Sequence, residues 1–251
     1  MHHGVGGNFY RASFQDKMGD ELLNRGVAVL RVNNRGHDLA YNAPPPHRRL
    51  GAAFETVDDC RHDWRAWIDL AAERGYQRIL VWGHSLGAVK TIYYLAKEKD
   101  PRVARAVASS PPRFSHSSFL ARHDGKQFAD AVEDAKQLAK SGKPDSLFAI
   151  EIPTSALMTT KTYFDKYGVE ERYDIIKHLP DTVTPLYVTV GGLEGREGQA
   201  DRYAFGGLDG LLTDAAKKSN SWSYRLIDGA DHFYSGVEGK LWSAVETWLA
   251  N

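Results

Sequence analysis

Short, continuously apolar runs alternate along this chain with longer stretches of helical periodicity, and that alternation leaves few folds open to it. Residues 26–32, 78–82, 103–108, 185–190 and 222–227 read as strands with no polar face, as strands covered on both sides must. Between them, Cys60, Trp64, Trp67, Ile68 and Ala71 recur at three- and four-residue spacing and predict a helix within residues 56–73. Further helices are expected over residues 86–97 and 241–249. The expected fold class is therefore α/β, a mostly parallel sheet with helices on both faces. At 251 residues the chain suits one such domain spanning 1–251.

Residues 112–180 break the rhythm. They hold no convincing strand, a helical pattern over 128–140, and many aromatics and lysines. A stretch this long between two sheet strands exceeds an ordinary loop. Insertions after a sheet strand emerge where ligands bind, so a cap over a site is expected, with an extra helical layer as the alternative. Lysine plus arginine and aspartate plus glutamate number 32 each, so no charged field points to nucleic acid or a membrane surface. No run approaches the roughly 18 apolar residues of a membrane span. Cys60 is the single cysteine, which excludes an internal disulfide and a cysteine zinc site and fits a cytoplasmic location. No signal peptide is visible at Met1-His2-His3-Gly4.

Gly83-His84-Ser85-Leu86-Gly87 matches the pattern G-x-S-x-G. The pattern alone is weak, but here it follows a strand and opens a helix, the context of a nucleophile elbow. Glycines flank the serine because side chains there would bring strand and helix into collision. A serine hydroxyl needs a base. Among ten histidines, His84 sits inside the elbow, His62 within a helix and His37 after the first strand. His232 occupies the glycine-containing turn between the last strand and the last helix, where a base can reach Ser85. The base in turn needs an orienting carboxylate, in chain order between serine and histidine. Glu194, just past the strand at 185–190, is the candidate; Asp201 is the alternative, and Asp231 is expected to point elsewhere.

With His3-Gly4-Val5-Gly6-Gly7, Asn34-Arg35-Gly36-His37 and the Gly-x-Asp-His turn at His232 added to the elbow, the chain resembles the α/β-hydrolase superfamily over nearly its whole length. The resemblance implies acyl transfer to water through a covalent ester on Ser85, with His232 as base and Glu194 as acid. It also implies an oxyanion hole made by the backbone N–H groups of Val5 and Leu86. It implies a small-molecule ester substrate and no metal or organic cofactor; oligomeric state stays open. Other hydrolase reactions and a non-catalytic ligand-binding role remain the alternatives, because one fold hosts many functions. The family places strands before its His-Gly motif, which here begins at His3. N-terminal strands are thus expected to be missing, and the strands around Val29 and Leu80 to pair directly or leave a gap.

Overall fold

Four of the apolar runs become one sheet. The structure, a computed structural model, describes residues 1–44, 48–195 and 204–251. Strands β1 (Ile79–His84), β2 (Val103–Ser109), β3 (Leu186–Gly191) and β4 (Trp222–Ile227) lie in that order, all parallel. Successive side chains alternate between the two faces, and helices shelter both. Val81, Ala106, Ala108, Leu186 and Val188 point to one core, which includes residues of α2 (Cys60–Glu73) and α3 (Leu86–Glu98). Trp82, Val107, Tyr187 and Ile227 point to the other, under α1 (Phe14–Leu23) and α4 (Glu238–Ala250). His84 pairs with Ser109, Ser109 with Thr189, and Gly191 with Ile227. The carboxyl ends are therefore level, and the loops that leave them meet along one edge.

Two expectations need correction. Residues 26–32 do not form a strand of this sheet. Val32 makes a single bridge to His2, which bridges Gly83 on its other side. The bonds run from His2 N–H to the Trp82 carbonyl at 2.8 Å, from His84 N–H to the His2 carbonyl at 3.1 Å, and from Val32 N–H to the Met1 carbonyl at 3.1 Å. One residue thus stands between this segment and β1, and among the described residues no strand lies along 27–31. Val27 and Leu30 are accordingly exposed. The second correction concerns residues 112–180, which contain an antiparallel hairpin, Leu147–Ile150 with Ala156–Thr159, besides the helices Gly125–Lys140 and Thr160–Tyr167. Phe119, Phe128 and Tyr163 from this region are buried in the larger core, with Phe148 and Phe164 packed against it.

Candidate active site

Ser85 sits between β1 and α3 with φ 55° and ψ −124°, a conformation that L-residues rarely adopt. Its N–H is anchored to the Ser109 carbonyl at 2.9 Å. Both flanking glycines are sterically required. A Cβ on Gly83 would stand 2.1 Å from the Gly87 carbonyl oxygen, and one on Gly87 would stand 2.4 Å from that of His3. The turn turns the hydroxyl out over the strand ends, at the amino terminus of α3, where the helix favours negative charge.

The turn that follows β4 carries His232. Asp231 fixes it by accepting the N–H groups of Phe233 and Ser235, each at 2.9 Å. His232 Nε2 lies 2.9 Å from Ser85 Oγ, and Nδ1 lies 2.7 Å from Glu194 Oε2. A carboxylate can only accept here, so Nδ1 carries the proton and Nε2 presents its lone pair to the serine hydroxyl. Glu194 leaves β3 on a single helical turn, Gly192–Gly195, tied to the histidine turn by the Leu193 N–H on the Ala230 carbonyl at 2.9 Å. Its other oxygen, Oε1, accepts the Gly191 N–H at 3.0 Å and the Ser110 hydroxyl. The Glu194 side chain is 1% exposed and that of His232 11%. Asp201 lies outside the described residues.

His84 takes a supporting place. Burial first, and then the neighbouring His232, push its imidazole down to about 3. It is therefore neutral, and its Nε2–H donates to the His232 carbonyl at 2.8 Å. His37 belongs elsewhere: it bonds Asp38 at 2.7 Å, stacks on Tyr41 and does not line the cavity above Ser85. His62 is exposed on α2.

A cavity of about 1590 Å³ opens over Ser85. Val5, Leu86 and His232 line it, together with Phe114, Met158 and Tyr167 from the region 112–180. Gly4 presses against the serine, where an added Cβ would come 2.9 Å from Ser85 Cβ. Among the described residues, neither the Val5 nor the Leu86 N–H donates to a protein acceptor. Beside the cavity a second buried carboxylate, Glu55, accepts from Lys90 Nζ at 2.6 Å and Lys166 Nζ at 3.0 Å; all three side chains are almost fully buried. Burial pushes the Glu55 carboxyl up, but the two ammonium groups outweigh it and hold it below its usual range. Among the described residues no cluster of three or more His, Cys, Asp or Glu could hold a metal ion. No helix there is long and apolar enough to cross a membrane.

Sequence reasoning missed Ser110, Tyr234 and Glu55. Each meets its partners across large separations, and no local pattern marks such contacts.

A sequence profile of the Alpha/beta hydrolase family matches residues 1–238. No curated protein sequence matches the chain. Among solved structures, Est1E from Butyrivibrio proteoclasticus with bound ferulic acid is similar at TM-score 0.63 and 18% identity, over 99% of this chain and 86% of that one. A Paleococcus ferrophilus monoacylglycerol lipase is similar at 0.67 and 17%, over 99% and 91%. The alpha/beta hydrolase GrgF from Penicillium sp. sh18 is similar at 0.67 and 13%, over 100% and 88%. At such identities these structures speak to the fold alone, and they agree with a profile that spans nearly the whole sequence: the chain belongs to the alpha/beta hydrolase family.

Proposed function

We propose that this chain hydrolyses a carboxylic ester of a small molecule through an acyl-enzyme on Ser85. One observation carries the reading: Ser85 Oγ is 2.9 Å from an imidazole whose far nitrogen is 2.7 Å from a buried carboxylate, on a strained turn beneath a cavity. His232 Nε2 takes the serine proton as Oγ attacks the ester carbonyl carbon, and Glu194 steadies the imidazolium. The carbonyl oxygen, now an anion, is received by the unengaged N–H groups of Val5 and Leu86. Collapse breaks the bond to the alcohol, which leaves with the proton from His232. Water then repeats the sequence on the acyl-enzyme and releases the acid. Residues 112–180 act as the cap, supplying Phe114, Met158 and Tyr167 as an apolar wall for the acyl group. Similarity to a lipase and to a ferulic-acid-bound protein is in keeping with ester chemistry. The single buried cysteine fits a reducing compartment such as the cytoplasm.

The test is a panel of p-nitrophenyl esters of increasing acyl length, run beside matched amides and a fluorophosphonate label. Ester turnover with labelling confined to Ser85 is expected. Labelling without ester turnover, or faster cleavage of the amides, would overturn the substrate class.

A further inference from the structure

Three buried charges beside the cavity have no part in the hydrolytic steps. Glu55 accepts from Lys90 Nζ at 2.6 Å and from Lys166 Nζ at 3.0 Å, and the side chains of Glu55, Lys90 and Lys166 are 1%, 3% and 1% exposed. Lys90 lies four residues along α3 from Leu86, about 6 Å up the helix axis. Lys166 stands on the helix Thr160–Tyr167, within residues 112–180, and lines the cavity over Ser85 with Phe114, Met158 and Tyr167. Glu55 thus ties the helix that begins beside Ser85 to the region proposed as the cap. The carboxylate is itself packed tightly: a Cβ on Gly36 would stand 1.9 Å from Glu55 Oε2.

The charges of this trio do not balance, because two ammonium groups face one carboxylate. Each ammonium has three N–H groups to give. Each gives one to Glu55, and among the described residues neither donates to a second protein acceptor. Asp165, next to Lys166 in the chain, is committed to the Val57 N–H at 2.7 Å, the Tyr173 hydroxyl at 2.8 Å and Arg172 at 3.1 Å. A surplus cation held away from water is costly unless an anion meets it. The cavity is where one can arrive. Among the buried residues that line it, Lys166 alone bears a fixed charge; Arg11, Asp16, Lys17, Asp20 and Glu238 line it from partly or fully exposed positions. Phe114, Met158 and Tyr167 are buried walls of low polarity, and between such walls a cation attracts an anion far more strongly than in water.

We propose that the ester cleaved at Ser85 carries a carboxylate at the far end of its acyl group, as a half-ester of a dicarboxylic acid does, and that Lys166 selects it. This rests on the ester-hydrolase reading above and names the substrate class of that site. Lys166 is a specificity-determining residue: it separates anionic from neutral acyl ends and takes no part in the bond changes. Glu55 fixes the two ammonium groups in place, and Lys90 keeps the site cationic once Glu55 is counted. The steps at Ser85 are those given above, with the alcohol leaving first and water then releasing the dicarboxylic acid.

The experiment measures kcat and KM by pH-stat for three pairs of methyl esters, in each of which a methyl group replaces the far carboxylate. The pairs are monomethyl succinate with methyl butyrate, monomethyl glutarate with methyl pentanoate, and monomethyl adipate with methyl hexanoate. At one length or more the native chain should favour the half-ester by roughly tenfold or more in kcat/KM, chiefly through KM. Lys166→Met should bring that ratio to about one. The ratio is taken on one preparation, so a smaller folded fraction does not move it. Should Lys166→Met fail to fold, Lys90→Met removes the other cation and should lower the ratio too, while the native ratio stands as a test by itself. No native preference at any length, or a preference that survives in Lys166→Met, overturns the inference. So does a loss in Lys166→Met shared equally by both members of a pair, which would leave the trio only a structural role. If neutral esters are cleaved without preference, or only p-nitrophenyl esters are cleaved, the inference falls and the ester-hydrolase reading stands. If no ester of any kind is cleaved, or Ser85→Ala keeps its turnover, that reading falls and the inference with it.

Discussion

Glu194 and Glu55 are both buried to within 1% of full occlusion, and their partners differ. Glu194 faces an imidazole that can gain and lose a proton and that reaches a serine under the cavity. Glu55 faces the ammonium groups of Lys90 and Lys166 and no imidazole. If the role proposed above for Glu194 holds, burial and charge do not by themselves make a reactive site. What matters is a partner that can change protonation state and an opening through which a reactant can arrive.

The sharpest test of that contrast is at the serine. Ser85→Ala should lower ester turnover by roughly three or more orders of magnitude with an unchanged fold, read by steady-state kinetics and circular dichroism. Adding His232→Ala should cost little more, since the two act as one unit. Next comes Glu194, the acid of the proposed triad. Glu194→Gln should lower kcat by roughly a hundredfold or more while the thermal midpoint moves little, and Asp201→Asn should do much less. A larger loss for Asp201→Asn would move the acid to that residue. Glu55→Gln should show the reverse pattern. Removing one member of a buried ionic cluster costs about 3–5 kcal/mol, so a lower midpoint in denaturant is expected, with turnover per folded molecule within about tenfold of native. If turnover collapsed while stability held, the two carboxylates would differ less than their partners indicate.

The imidazoles extend the comparison to pH. Burial pushes His3 down to about 4 and His84 to about 3, so both are neutral in the folded chain and bind protons more readily once it unfolds. Their contribution is complete above the ordinary histidine range near 6.5 and erodes as pH falls from there toward 4 and then 3. Thermal midpoints should drop across that window, and His84→Gln should flatten the drop. The smallest effect is expected at His37, which lies outside the cavity. His37→Asn should leave ester turnover within about twofold of native.

The four sheet strands are legible in the sequence because shelter on both faces demands unbroken apolar runs, and tryptophan, valine and isoleucine supply them. The run at 26–32 looks the same, yet an apolar run records a tendency to be extended and not whether a partner lies alongside. The hairpin at 147–159 escaped for the opposite reason: its strands are short, and Leu147 and Leu157 face outward. At the site, Ser85 is marked by its flanking glycines, and Glu194 and His232 by their places just beyond strand ends. The hydroxyls behind Glu194 carry no such mark. Ser110 and Tyr234 stand 124 residues apart, and only the level strand ends bring them together.

Helix α3 has a consequence for how the molecule opens. Every residue from Leu86 to Ala96 is buried, so its amides, and with them the seat of Ser85, should exchange with solvent only when the whole domain unfolds. The loop that carries Val5 is different: Val5, Phe9 and Tyr10 are all exposed, and local fluctuations can open it at little cost. Val5 and Leu86, which both line the cavity, thus belong to parts of the chain with unequal protection. Mild denaturant is expected to abolish turnover while the amides of α3 remain unexchanged, because the weaker half of the site gives way first.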